Sequence, residues 1–209
     1  PVNLNIYEYK IEETSNKPFY IKEHSQKYSL TELLNIFKDN NIPTISCDDV
    51  VNELYKNSNV TTKISHLLGI NFPSSYIDKK MLLNHIVTHP RDKRRLEQFI
   101  FPLVISEVKS FILKNKNGLV LVEAPRLFEA NMESLFDTII VVEINEKLQL
   151  ERLTQRNGEK GKLLLELNKN NLIDKNKNKA EFLVSNNGSL IELEKEVQTI
   201  INKLKSRLS

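Results

Sequence analysis

Four short segments of this 209-residue chain carry side chains that could do chemistry, and each follows a predicted strand. Segments 46–49 and 123–129 combine carboxylates with hydroxyl, thiol or guanidinium groups. Segment 186–189 offers amides and a glycine, and segment 24–31 is polar. In an open parallel sheet the carboxyl ends of the strands meet at one edge, where ligands bind. The spacing therefore predicts one cleft that is lined by these four segments.

Segment 24–31 lies where a phosphate-binding loop would join a strand to a helix. The run Phe-Tyr-Ile-Lys at 19–22 predicts a short buried strand, and residues 30–40 predict an amphipathic helix. Glycines normally let the N–H groups of such a loop close around phosphates. No glycine occurs before Gly69, however. The residues that would surround a nucleotide here are Ser25, Gln26, Lys27, Tyr28, Ser29, Leu30 and Thr31.

Three charged residues of the predicted cleft each have a functional and a structural interpretation. Lys27 could bring an ammonium group to phosphates, or it could be a solvated surface lysine. Arg126 could bind a phosphate, or it could form an ion pair with Glu123 or Glu129. Asp48 could contact a substrate hydroxyl or Mg²⁺, or it could cap the helix that follows.

Composition excludes several other classes of protein. The hydrophobic fraction of 40% and the charged fraction of 27% are ordinary for a soluble globular protein. The net charge of +3 is mild and spread along the chain, which argues against a nucleic-acid surface. The single cysteine, Cys47, excludes an internal disulfide and a cysteine-based zinc cluster, and it is expected to be a small buried residue at a strand end. No apolar run reaches the roughly 20 residues of a membrane span, and no signal-peptide pattern is seen, so we expect a cytoplasmic protein without membrane contact.

Strands alternate with helices along the chain, which predicts a parallel, doubly wound α/β sheet. The strands are predicted at 19–22, 42–46, 118–123, 138–142 and 182–184. The helices are predicted at 30–40, 50–56, 61–68, 77–88, 91–116, 146–155 and 190–208. Asp48 or Asp49 could cap the second of these helices, and Ser189 is predicted to cap the last. Pro102 should kink the fifth helix or divide it in two. Residues 1–18 are predicted to form an N-terminal arm or an extra hairpin.

Together these positions resemble dephospho-CoA kinases over residues 19–208. The matching segments are Ile-Pro-Thr-Ile-Ser-Cys-Asp at 42–48, Leu-Glu-Gln-Phe-Ile-Phe-Pro-Leu at 96–103, Ala-Pro-Arg-Leu-Phe-Glu at 124–129, Asp-Thr-Ile-Ile-Val-Val at 137–142, Gln-Leu-Glu-Arg-Leu at 149–153 and Asn-Asn-Gly-Ser-Leu at 186–190. Each segment alone is a weak signal, and their order and spacing carry the resemblance.

The resemblance implies a kinase that transfers the γ-phosphoryl group of ATP to the 3′-hydroxyl of dephospho-CoA. It implies a three-layer fold with a five-stranded parallel sheet, in a single domain over 19–209. A helical CoA-side subdomain would cover about 60–116 and a lid about 152–180. The cofactors would be ATP and Mg²⁺, with nothing bound covalently. The partners would be small nucleotides, namely ATP, dephospho-CoA or CoA.

The family's catalytic residues map unevenly onto this chain. Without gaps, Leu30 stands where the phosphate-binding lysine belongs, and Thr31 keeps the hydroxyl expected to touch Mg²⁺. Ser46 replaces the family's candidate base for the 3′-hydroxyl, whereas Asp48 keeps the second aspartate of that motif. Phe101 replaces a histidine before Pro102.

Further matches concern the lid, the adenine loop and the substrate side. Arg156 matches the lid arginine, with Arg152 one turn earlier. Asn186 and Gly188 match the loop near the adenine. The residues expected on the substrate side are Asp48, Arg126, Phe128 and Glu129.

The chain keeps most of the family's motifs but replaces several of its catalytic residues, and two hypotheses follow. In the first, the protein is a divergent dephospho-CoA kinase in which Lys27 and Arg156 neutralise phosphate charge and Asp48 orients the 3′-hydroxyl. In the second, it is a pseudokinase that holds a nucleotide, CoA or a protein partner without turnover.

Overall fold

The computed structural model describes residues 3–8, 30–143, 145, 147, 151, 154 and 177–208. Its strands are β1 (Asn3–Glu8), β2 (Thr44–Ser46), β3 (Val120–Glu123), β4 (Thr138–Glu143) and β5 (Phe182–Ser185). They form one sheet in the order β2-β3-β1-β4-β5, and all four pairings are parallel. The predicted α/β class is therefore confirmed.

Six α-helices accompany the sheet in the described part of the chain. They are α1 (Leu30–Asp39), α2 (Cys47–Leu54), α3 (Ser58–Leu68), α4 (Lys79–Thr88), α5 (Pro90–Lys114) and α6 (Leu190–Lys205). Pro102 lies inside α5 without dividing it in two. Pro102 and Gln98 are both exposed, so the Gln98 carbonyl that loses its helical partner can bind water instead. None of the described helices is long and apolar enough to cross a membrane.

The central strand is Asn3–Glu8, because its backbone pairs with both β3 and β4. The prediction of an arm or an extra hairpin over residues 1–18 is therefore wrong for this segment. Its sequence, Asn-Leu-Asn-Ile-Tyr-Glu, alternates polar and apolar residues, whereas buried parallel strands usually show continuous apolar runs. Only pairing with two strands more than a hundred residues away identifies it as central. The strand predicted at 19–22 lies outside the described residues.

Two apolar cores lie on opposite faces of the sheet. Along β3 and β4 successive side chains point to opposite faces. Val122 and Val141 belong to the core that also contains residues of α2, α3, α4 and α5. Leu121 and Ile140 belong to the core that contains residues of α1 and α6. The molecule therefore has three layers, with the sheet between two layers of helices.

Candidate functional site

Three of the four chemistry-bearing segments lie at the carboxyl edge of the sheet. β2 and β3 end at Ser46 and Glu123, which are paired across the two strands. Segment 186–189 follows β5, and the Asn186 N–H donates to the Glu143 carbonyl at 2.8 Å. Of segment 24–31, only the backbone of residues 30 and 31 is described, at the first turn of α1. The edge thus brings together residues that are far apart in the chain.

Ser46 and Glu123 are joined by a direct hydrogen bond, in which the Ser46 hydroxyl donates to Oε2 of Glu123. The Glu123 side chain lies at the end of a fully buried strand, and the residue is only 1% exposed. Ser46 also caps α2, since its oxygen accepts from the Asp49 N–H at 3.5 Å. The predicted cap by Asp48 or Asp49 is therefore wrong. The extended backbone of Ser46, at the end of β2, lets its oxygen reach the N–H three residues on.

The first turn of α2 adds a thiol and a second carboxylate beside this pair. Cys47 is buried, as the sequence led us to expect, and Asp48 is exposed. Burial raises the pKa of the Cys47 thiol far above its usual range, and the charges of Glu123 and then Asp48 raise it further. Cys47 therefore stays protonated and uncharged, and it offers neither a nucleophile nor a metal ligand.

Arg126, two residues after Ala124, forms an ion pair with Glu97 of α5, with 2.8 Å between Nη2 and Oε1. This partner was not proposed from the sequence, because Glu97 is 29 residues away and reaches Arg126 only through the packing of α5. Within the described part of the chain, the buried Nε of Arg126 has no hydrogen-bond acceptor. One donor of the guanidinium is thus left without an acceptor in the loop after β3.

Phe128 is part of the core rather than of an open surface. It is 4% exposed, and the Lys179 ammonium lies 5.4 Å from the centre of its ring. Lys179 also forms an ion pair with Glu133 at 3.1 Å. Phe128 therefore anchors the loop after β3, while its neighbour Glu129 is only partly buried. The expected contact of Phe128 with substrate stays a prediction, and in this structure the Phe128 side chain packs inward.

The loop after β5 is held by a capping box at the start of α6. The Ser189 oxygen accepts from the Glu192 N–H at 3.3 Å, and Oε2 of Glu192 accepts from the Ser189 N–H at 2.6 Å. The Ser189 hydroxyl also donates to Glu192, and these hydrogen bonds lower the pKa of the Glu192 carboxyl. The predicted cap by Ser189 is confirmed. The box positions Asn186, which is 3% exposed, and Gly188, which is exposed, at the edge of the sheet.

We expect Ser189→Ala to lower the free energy of unfolding by about 0.5–2 kcal/mol, because it removes this cap. Gly188→Ala should cause a similar loss, since a Cβ atom there would lie 2.3 Å from Oε2 of Glu192 and displace it. The two changes break the same box, so their combined effect should be smaller than their sum. Urea denaturation of the single and double variants measures this. Gly118→Ala is the control, because a Cβ at 118 meets nothing within 4 Å.

Several predicted site residues cannot be compared with the structure. Leu30 and Thr31 lie in the first turn of α1, and only their backbone is described. The remaining predicted residues lie outside the described part of the chain, and they are Ser25, Gln26, Lys27, Tyr28, Ser29, Arg152 and Arg156. Their roles stay predictions.

Comparison with known proteins decides the family. The family model described as dephospho-CoA kinase matches residues 30–192. The chain belongs to the dephospho-CoA kinase family. A dephospho-CoA kinase of Lactobacillus acidophilus is 25% identical over 181 residues, which cover 81% of this chain and 88% of that protein. The retained motifs of the sequence thus reflect membership of this family, and the prediction is confirmed.

Two solved structures share the fold of this chain. A protein of Thermus thermophilus superposes with a TM-score of 0.73 at 17% identity, covering 98% of each chain. A dephospho-CoA kinase from Campylobacter jejuni superposes with a TM-score of 0.59 at 20% identity, covering 98% of this chain and 97% of that one. At these identities the likeness concerns the fold alone.

Sequence reasoning underestimated two residues of the site. Glu123 was placed in segment 123–129 without a role beyond pairing with Arg126, and Glu97 was named only within the matching segment 96–103. A signal for Glu123 was present, because a carboxylate that ends a continuous apolar strand is seldom buried without a partner or a function. For Glu97 no local signal existed, since its role depends on how α5 packs against the loop after β3.

Proposed function

We propose that this protein catalyses the reaction of its family, the ATP-dependent phosphorylation of the 3′-hydroxyl of dephospho-CoA. The observation that carries the proposal is the buried Glu123 carboxylate, held by Ser46 at the edge where open α/β sheets bind ligands. Burying a charged carboxylate costs free energy, and an apolar residue would pack there at no such cost. Its position beneath this edge is best explained by a role in the chemistry on a substrate hydroxyl.

On the acceptor side, Asp48 orients the 3′-hydroxyl from the first turn of α2. Arg126 offers its unused Nε to an anionic group of the substrate, and Glu129 follows three residues later in the loop after β3. Phe128 supports that loop from the core. The helices over about 60–116 form the CoA-side subdomain, and residues 152–180 form the lid of a single domain that covers 19–209.

On the nucleotide side, residues 25–31 surround the phosphates, and Lys27, Arg152 and Arg156 neutralise their charge. Asn186 and Gly188 lie near the adenine, in the loop that the capping box holds. No group of three or more acidic, histidine or cysteine side chains is placed to hold a metal ion in the described residues. This fits Mg²⁺ held mainly by ATP phosphates, with Thr31 as the protein ligand. When bound, Mg²⁺ neutralises charge on the transferred phosphoryl group.

The alternative is a pseudokinase that binds ATP, dephospho-CoA, CoA or a protein partner without turnover. Two observations favour it. Arg126 is already engaged by Glu97, and Phe128 packs inward. The absence of glycine from residues 1–68 and the leucine at position 30 point the same way. Under either function we place the protein in the cytoplasm.

The test is direct mass detection of CoA formed from dephospho-CoA and Mg·ATP, at high protein concentration and long incubation. The variant Lys27→Ala/Thr31→Ala, purified in parallel, controls for contaminating kinase. We expect CoA from the wild-type protein and little from the variant. Folded wild-type protein that makes no CoA would overturn the enzymatic proposal. Calorimetric titration with ATP and with dephospho-CoA would then identify what the pseudokinase holds.

A further inference from the structure

We propose that Ser46 and Glu123 form a proton relay that replaces the aspartate base missing at position 46. Ser46 contacts the 3′-hydroxyl of the acceptor, and Glu123 receives the proton through Ser46. This inference rests on the proposed kinase function, and it assigns the step for which the sequence offered no residue. Glu123 acts through Ser46, so it is a positioning residue and proton acceptor that does not touch the substrate.

The hydrogen bonds of Ser46 leave room for a substrate hydroxyl. A serine hydroxyl has one donor hydrogen and two acceptor lone pairs. The Ser46 hydrogen is donated to Glu123, and one lone pair accepts from the Asp49 N–H. Within the described residues, the second lone pair of Ser46 has no donor. A substrate hydroxyl that donates to it would complete a chain from the 3′-oxygen through Ser46 to Glu123.

The burial of the two residues explains why a relay is needed. Glu123 is 1% exposed and is covered at the end of β3, so a substrate cannot reach its carboxylate directly. Ser46 is partly exposed at the end of β2, directly opposite Glu123 in the sheet register. Ser46 therefore stands between the buried carboxylate and the cleft, at the position where a base would act.

Among the ionisable groups that the structure describes near Ser46, only Glu123 is placed to accept its proton. Cys47 lies next to Ser46, but its thiol is buried and stays protonated, so it accepts no proton. Asp48 is exposed on the same turn and holds the acceptor hydroxyl in place. Glu123 is thus the carboxylate to which the Ser46 hydrogen already points.

The 3′-oxygen of dephospho-CoA forms a bond to the γ-phosphorus of ATP while the bond between that phosphorus and the β,γ-bridging oxygen breaks. The 3′-hydroxyl proton passes to Oγ of Ser46, and the original Ser46 proton passes to Oε2 of Glu123. ADP leaves with the electron pair of the broken bond. Glu123 returns its proton through Ser46 to solvent after CoA is released.

The test measures steady-state CoA formation by Ser46→Ala, Glu123→Gln and the double variant. Each single change should lower kcat by about 10²–10⁴-fold, because it removes general-base catalysis. The KM for dephospho-CoA should change little. The double variant should be no slower than the slower single variant, since residues that act in series lose their effect together. Multiplication of the two single effects would overturn the relay.

Two rescue variants separate a relay from a structural role. Ser46→Thr keeps the hydroxyl and should retain kcat within about tenfold of wild type. Ser46→Asp/Glu123→Gln supplies a carboxylate directly and should recover most of the activity that Ser46→Ala/Glu123→Gln lacks. If Glu123→Gln fails to fold, the comparison of Ser46→Thr with Ser46→Ala decides between a relay and a structural role. Equal losses in these two variants would overturn the proposal.

The control for the lost helix cap is Asn57→Ala. Asn57 caps α3 by accepting from the N–H groups of Asn59 and Val60, and it takes no part in the site. It should lose stability as Ser46→Ala does, with kcat unchanged. If Ser46→Ala keeps the wild-type kcat, the relay is overturned but the proposed kinase function is not. Wild-type protein that forms no CoA would overturn the kinase function and the relay with it.

Discussion

Asp48→Asn is expected to lower kcat/KM for dephospho-CoA by about 10²–10³-fold, because it removes the charge that we propose orients the acceptor hydroxyl. Asparagine keeps the shape of the side chain, and Ser46 rather than Asp48 caps α2, so the helix should remain folded. The measurement is the initial rate of CoA formation at low dephospho-CoA concentration, together with thermal unfolding of the same preparation.

Asp49→Asn is the matched control for this variant. Asp48 and Asp49 are both exposed in the first turn of α2, so each change removes the same favourable interaction with the helix dipole. Only Asp48 occupies the position that matches the family motif. We expect Asp49→Asn to leave kcat/KM within about threefold of wild type. Equal losses in both variants would assign the effect to the acidic turn as a whole and contradict a specific role for Asp48.

Phe37→Ala is expected to lower the free energy of unfolding by about 3–5 kcal/mol, which is a large part of the stability of a typical domain. Phe37 is fully buried on α1, in the core that also contains Ile42 and Ile201. Removing its ring leaves a cavity between α1, α6 and the sheet, and the surrounding side chains can fill it only in part. Urea denaturation monitored by circular dichroism measures the change.

The control for the core variant is Leu113→Ala. Leu113 lies near the end of α5 and is 70% exposed, so its truncation should change the free energy of unfolding by no more than about 0.5 kcal/mol. A loss in Phe37→Ala as small as that of Leu113→Ala would contradict the packing of α1 on the sheet. The predicted nucleotide loop leads directly into α1. A small loss in Phe37→Ala would therefore also mean that this loop has no firmly packed helix behind it.

The elements that the sequence predicted well are those whose local pattern is unambiguous. β3 and β4 are continuous apolar runs between turn signals, and they were placed within two residues of their observed ends. The start of α6 was predicted from Ser189 as its cap, and in the structure Ser189 and Glu192 form a capping box there. In these segments neighbours along the chain determine the structure.

Other features depended on contacts between distant parts of the chain. The alternating sequence of β1 does not suggest a central strand, and only its pairing with β3 and β4 makes it one. Arg126 was predicted either to bind a phosphate or to pair with a nearby glutamate, but the packing of α5 brings Glu97 to it. No local pattern contains this information, because each contact joins residues that are at least 29 positions apart.

The sequence by itself determined the family and the α/β class, and it predicted the edge of the sheet at which ligands should bind. It could do so because motif order, strand patterns and helix caps are local properties that survive divergence. Only the tertiary structure decided that the serine at position 46 is bonded to a buried carboxylate 77 residues later. The register of two parallel strands creates that pair, and a register is a property of the folded sheet rather than of either strand alone.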